Sequence, residues 1–424
     1  MHLTVTFDVF FDRFVDGNCF MKKLILALLI LGSSSLFAQR TCSTNAKIEQ
    51  LKAEDPGFAS RHKVISRYLK DVKNLQKNNS SQNPNVVTIP VVFHVLYKNQ
   101  TQNISDAQIN SQLAAMNEDF RKCNPDFLDV VPEAFQEFGA DMEICFAKAT
   151  ITPSGMPTSG ITRKSVPDDF VFDIEYYTPD GEPAWDTSHY LNIWIGRFPP
   201  GMLGFGTPPA AAGENYDGLC ISYKYFGCNG TALAPFNKGR TVTHELGHYF
   251  GLKHTWGDDS TSCGDLQNDD DVADTPPVND PYFGCPTYPD NSNMCEPTED
   301  GAMFMNFMDY VDDACMAFFT LDQKSLVQAT VNGPRASLLG VKETYVNRGI
   351  SIYPNPADRY FDIKSDLTAV DRVEIYDNNG QLKKTVRIEK GETRVSTESL
   401  ETGIYYLRLY GQGKFLKSDK LIKK

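Results

Sequence analysis

Apolar and polar positions follow three rhythms along this chain. Near the start, Met21-Lys22-Lys23 leads into an unbroken apolar run, Leu24 to Leu31, and then into small residues up to Ala38. A basic start, a short apolar middle and a small-residue exit predict a secretory signal peptide, with translation beginning at Met21. The run is far shorter than the ~20 residues a bilayer span needs. No later stretch is longer and as apolar, so no integral membrane segment is expected. Residues 39–85 are polar and predict a propeptide that ends in a flexible link around Lys77-Asn78-Asn79-Ser80. Val86 to Tyr97 then reads as a β-rich strand buried on both faces. Ser105-Asp106 followed by Ile109, Leu113 and Met116 has helical spacing. Leu191–Ile195 and Leu219–Tyr223 are two further strands. From 255 to 315 the pattern is irregular and rich in Cys. After Ser351 strict alternation returns in Ile352-Tyr353, Tyr360–Ile363, Val373–Tyr376 and Tyr405–Leu409. Turn signals at Asp377-Asn378-Asn379-Gly380 and Glu401-Thr402-Gly403 separate them.

These rhythms predict a leader over 1–38, a propeptide over 39–85, a mixed α+β body over 86–335, a linker over 336–350 and a small all-β immunoglobulin-like sandwich over 351–424. Composition changes little: 41% hydrophobic and 22% charged residues are ordinary for a globular protein. The net charge of −13 speaks against nucleic acid as a partner. Export permits disulfides. Eight of the 10 Cys lie between Cys123 and Cys315, an even number that suits four bridges, with the pairing left open.

The chemistry concentrates in His244-Glu245-Leu246-Gly247-His248, followed by Gly251 and His254. Two His four apart share one face of a helix, close enough for one tetrahedral ion. Gly251 permits a left-handed turn that lets His254 return as a third ligand. Three nitrogen ligands leave a position for water, which marks a catalytic zinc rather than a structural one. Zinc lowers the pKa of its bound water and polarises a carbonyl. Glu245 is placed to act as general base and then acid while the water attacks a scissile carbonyl. A lone His such as His94 reads instead as a core residue.

The motif His-Glu-x-x-His-x-x-Gly-x-x-His is that of the metzincin clan. Together with Asn306-Phe307-Met308-Asp309-Tyr310, Asp271–Pro276 and Asp309–Cys315, it resembles the pappalysin family over roughly residues 86–335. The resemblance implies a secreted zinc metalloendopeptidase acting on protein or peptide substrates. It makes Met308 the floor of the site and Tyr310 the phenol that stabilises the oxyanion. It implies the pairs Cys263–Cys295 and Cys285–Cys315, leaving Cys123–Cys145 and Cys220–Cys228. It also implies structural Ca2+ held by Asp270 and Thr275 with the carbonyls of Asp269 and Ala273; oxygen is the ligand that calcium prefers. Arg40-Thr41-Cys42-Ser43 resembles the family's propeptide latch, with Cys42 as a zinc ligand and Ser43 in place of its usual Gly. Some relatives carry an acidic residue before the last Cys and cleave beside arginine. Ala314 stands there in this chain, so arginine preference does not follow, and Asp312 and Asp313 are the candidates to compensate. Residues 351–424 resemble the C-terminal sorting domain of type IX secretion, through Tyr353-Pro354-Asn355-Pro356 and Leu400–Tyr405. That implies a periplasmic passage to the extracellular side or outer cell surface, with the type IX machinery as partner. The competing reading is a surface adhesin with an inert zinc domain. Glu245 argues against it, since only a working site needs the proton carrier.

Overall fold

The computed structural model describes residues 40, 42–76, 86–257, 263, 270–339, 350–364, 370–377, 381–389, 393–411 and 414–424. The expected signal peptide, Met21 and the candidate ligand Asp269 lie outside these residues.

Strand β1 (Val87–Tyr97) is the axis of the body, buried without interruption from Ile89 to Leu96. The lack of alternation has a cause. On one edge β1 pairs in parallel first with β2 (Ile144–Lys148) and then with β3 (Ile161–Ser165); on the other it pairs with β4 (Leu191–Gly196). A parallel interior strand needs cover on both faces. Beyond β4 come β6 (Leu219–Ser222), parallel, and the antiparallel edge strand β5 (Gly204–Gly206). The expected strand over 219–223 ends one residue early, where a 3-10 turn begins at Tyr223. His94, fully buried, sits between Thr162 and Asn192, and burial holds its pKa down at about 4. It is a core residue, as its place on a strand suggested.

Three longer helices serve the sheet. On α3 (Asp106–Phe120), Ser105 caps the start by accepting from the Gln108 amide, and Ile109, Met116 and Phe120 point into the core. It packs against α4 (Arg240–Tyr249), which carries the metal motif. Helix α5 (Leu321–Asn332) opens with a capping box made by Thr320 and Gln323. Just after it, fully buried Arg335 pairs with Asp217, donates to the Tyr249 carbonyl at 2.8 Å and lies 3.3 Å over the Tyr249 ring. The end of α4 is thereby clamped.

The polar stretch before β1 forms two helices that the sequence reading did not anticipate, α1 (Thr44–Glu54) and α2 (Phe58–Gln76). Only a few apolar side chains hold them down: Leu51 and Phe58 enter an aromatic cluster, and Leu69 joins the main core.

Disulfides join Cys263 to Cys295 and Cys285 to Cys315. Cys123, Cys145, Cys220 and Cys228 are free thiols, which overturns the pairs Cys123–Cys145 and Cys220–Cys228. Cys220 lies fully buried in the middle of β6, whereas Cys228 is exposed beside α3, where its amide bonds Ser111. Cys123 is exposed and its thiol donates to the Arg121 carbonyl, and Cys145 meets the Arg121 guanidinium.

The C-terminal strands are β7 (Ser351–Tyr353), β8 (Tyr360–Lys364), β9 (Arg372–Tyr376), β10 (Leu382–Arg387), β11 (Arg394–Ser396), β12 (Gly403–Gly411) and β13 (Lys414–Lys423). They form two sheets, β10-β9-β12-β13 and β11-β8-β7. Phe361, Ile363, Val373, Ile375, Leu407 and Leu409 face one shared core. This is the all-β unit that the alternation predicted. Among the described residues no helix is long and apolar enough to cross a membrane.

Candidate active site

All ten residues of α4 are buried. His244 and His248 leave the same face one turn apart, with their Nε2 atoms 3.2 Å apart. Gly251 adopts a φ of 94°, the left-handed region that a side chain disfavours, and the chain leaves the helix there. His254 then returns, placing its Nε2 at 3.1 Å from that of His248. Its ring stacks flat on Trp256 with centroids 4.4 Å apart.

The tautomers follow from the partners. His244 Nδ1 faces the Phe307 carbonyl and His248 Nδ1 faces the Leu252 carbonyl, both at 2.8 Å. A carbonyl only accepts, so each Nδ1 carries the proton and each Nε2 presents a lone pair. Two such nitrogens 3.2 Å apart repel unless a cation lies between them. Ligand bonds of 2.0–2.1 Å in a tetrahedron set nitrogens about 3.3–3.4 Å apart, so the donors fit zinc. Burial, and then the neighbouring rings, hold the His244 pKa well below its usual value, which keeps the ring neutral.

Beneath the cluster, Met308 is wholly buried. A Cβ on Gly247 would stand 2.2 Å from the Met308 sulfur, so the glycine makes room for the floor. Asp309 ties down the following turn by accepting from the amides of Tyr282 and Tyr310 and from the Thr255 hydroxyl. Tyr310 lies with its ring 5.0 Å from His254.

The segment before α1 crosses this site. Cys42 runs parallel to β5 at Gly204. Its sulfur and the three His nitrogens all lie within 4.8 Å of one another. The Cys42 amide donates to the Tyr310 phenol at 3.2 Å, and its thiol donates to Glu245 at 3.3 Å. Thr44 also donates to Glu245, at 3.1 Å, and its hydroxyl accepts from the Gly206 amide. Burial raises the Glu245 pKa. Burial and Glu245 push the Cys42 thiol up as well; a dication beside it acts in the opposite sense. Arg40 is buried in an ion pair with Asp313. The Asp313 carboxylate also accepts from the amides of Lys238 and Arg240, at the start of α4. Ala314, one residue on, faces solvent.

In the expected calcium loop, Thr275 donates to the buried Asp270 carboxylate at 2.5 Å, and burial raises that carboxyl to about 7. Ala273 is exposed and its amide meets Asp322. Sequence reasoning missed Thr44, Asp309, Trp256 and the glycines at 206 and 247. Of these, Asp309 and Gly247 stood inside quoted motifs.

Residues 181–332 match the family described as Pregnancy-associated plasma protein-A, and residues 351–424 match the Secretion system C-terminal sorting domain. Mature mirolysin of Tannerella forsythia, solved in complex with a cleaved peptide, is 41% identical; the match covers 62% of this chain and 97% of that one, with a TM-score of 0.56. The chain belongs to the pappalysin family. A promirolysin mutant from Tannerella forsythia is 37% identical, and the match covers 71% of this pappalysin and 97% of that chain, with a TM-score of 0.62. An extracellular metalloprotease of Colletotrichum graminicola is 29% identical over 59% of this chain and 78% of its own. This pappalysin is a zinc metalloendopeptidase, and its sorting domain marks it for secretion.

Proposed function

We propose that this pappalysin hydrolyses peptide bonds at His244, His248 and His254, with Glu245 as the proton carrier, and that the segment at Cys42 keeps it latent until it is cut away. The carrying observation is the pair of carbonyl-anchored imidazoles whose Nε2 lone pairs converge with a third. Zinc bound there supplies Lewis acidity and an activated water. Glu245 would take a proton from the attacking water and return it to the leaving amine; the pKa raised by burial suits both roles. Tyr310, released from the Cys42 amide, donates to the developing oxyanion. Met308 fixes the floor by packing against Gly247.

Latency follows from the same contacts. Cys42 takes the water's place beside the imidazoles, while Thr44 and the thiol occupy Glu245. Arg40 stands in for an arginine of the substrate, and Asp313 is the acid that recognises it, in the role that the sequence position of Ala314 left empty. Calcium held by Asp270 and Thr275 with the Ala273 carbonyl stiffens the neighbouring loop. The type IX machinery is the partner of residues 351–424.

Metal analysis of the folded full-length chain tests the centre of this reading. One zinc per chain is expected, with most of it lost in His248→Ala. Stoichiometric zinc in that variant would overturn the assignment.

A further inference from the structure

Helix α1 carries one residue that the latch does not explain. Lys47 is only 5% exposed. Its ammonium lies 5.2 Å from the ring centroids of both Tyr176 and Phe205. It donates to the Asp173 carbonyl at 3.4 Å and to the Gln50 side chain at 3.2 Å. Burying an ammonium costs free energy, and burial accordingly lowers the Lys47 pKa. The cation is nevertheless held there by two ring faces, a carbonyl oxygen and the nearby negative charges of Glu54 and Asp173, which offset that cost.

Except for Gln50, the walls of this cage belong to the body rather than to the departing segment. The Tyr176 hydroxyl donates to the Tyr216 carbonyl at 2.8 Å, and its ring packs edge-on against Trp194 at 4.8 Å and Phe205 at 5.7 Å. Phe205 is the middle residue of β5, between the two glycines that bond to Ser43 and Thr44. Loss of α1 takes Leu51 out of the cluster around these rings but leaves the contacts of Tyr176 with Tyr216, Trp194 and Phe205 within the body. One short segment thus crosses the metal cluster at Cys42 and seats a cation in the body on each side of that residue in sequence: Arg40 at Asp313, and Lys47 between two rings.

We propose that the Tyr176–Phe205 cage is a second cation subsite for polypeptide substrates, separate from the Asp313 pocket, which accepts a lysine or arginine side chain once the segment has left. This rests on the peptidase reading above and adds to it a preference for chains with two basic residues around the cut. The contact is non-covalent and is felt in substrate affinity.

The test uses the activated full-length enzyme and peptides with one fixed arginine. Lysine, norleucine or alanine is placed in turn at each of the surrounding positions. Lysine at one position should raise kcat/KM over norleucine by roughly threefold to tenfold, mainly through KM. Within Phe205→Leu, and separately within Tyr176→Leu, the lysine-to-norleucine ratio should fall to about one. Equal rates for lysine and norleucine at every position would overturn the subsite and leave the peptidase reading standing. That comparison needs only the unaltered enzyme. A lysine preference that survives in both variants would place the subsite elsewhere and overturn this one. Failure to cleave any peptide would overturn both readings together.

Discussion

Two helices meet at the metal cluster and are held there in opposite ways. In α4 every residue is buried, its apolar side chains belong to the main core, and Arg335 clamps its last carbonyl, that of Tyr249. In α1 only Thr44, Lys47 and Leu51 are buried. The first helix can leave its place only if the body unfolds. The second is docked by one face and becomes separable once its chain is cut. A permanent catalytic element and a temporary cover can thus share one cluster of atoms while differing in what would release them.

Glu245→Ala strikes the permanent side hardest. Casein hydrolysis by the activated enzyme should fall by about 10²–10⁴-fold, with the fold retained. A rate near that of the unaltered enzyme would remove Glu245 from the chemistry. Arg335→Ala leaves Asp217 buried without its cation and should cost about 3–5 kcal/mol in denaturant unfolding. A smaller loss would mean that α4 is less firmly clamped than its burial indicates. Leu51→Ala addresses the cover alone. It should weaken docking by about 2 kcal/mol and shorten the lag before activity appears, without moving the unfolding midpoint of the activated enzyme. Cys42→Ala should shorten the same lag, and an unchanged lag would separate Cys42 from latency.

The smallest effect concerns acid. Hydrogen bonds from Arg61 and then Tyr216 hold the Asp55 carboxyl down at about 2, below the usual value of about 3.9. A depressed folded pKa contributes stability above the unfolded value, and that contribution is lost as pH falls through the folded one. Docking of the cover should therefore be insensitive to pH between about 4 and 7 through this group and weaken only towards 2. In Asp55→Asn that acid-side weakening should flatten; proteolytic release measured against pH would show it.

The difference between the helices also governs what the sequence disclosed. The metal motif was legible because its chemistry demands particular residue types at fixed spacings, as with His244, Glu245 and His248. Strand β1 and the C-terminal alternation were legible because burial writes their period directly. Helices α1 and α2 were not, because their hold rests on a few isolated apolar residues, Leu51, Phe58 and Leu69, among many polar ones. Edge strand β5 is three residues long, too short to carry a period. The remaining thiols were paired by arithmetic, which is blind to depth: nothing in the sequence marks Cys220 as enclosed in a strand and Cys228 as lying in the open. The inward turn of Asp313 and outward turn of Ala314 depend on a single 3-10 turn at Asp313–Cys315, finer than residue spacing can resolve.

Strand β5 passes so near α4 that a methyl group on Gly206 would sit 2.3 Å from the Glu245 carbonyl oxygen. Main chain faces main chain there, with no layer of side chains to thicken or thin. The separation between that ledge and the helix is consequently beyond the reach of ordinary substitution. Diversification of what such an enzyme cuts must arise at the recesses flanking the ledge, where side chains do the lining.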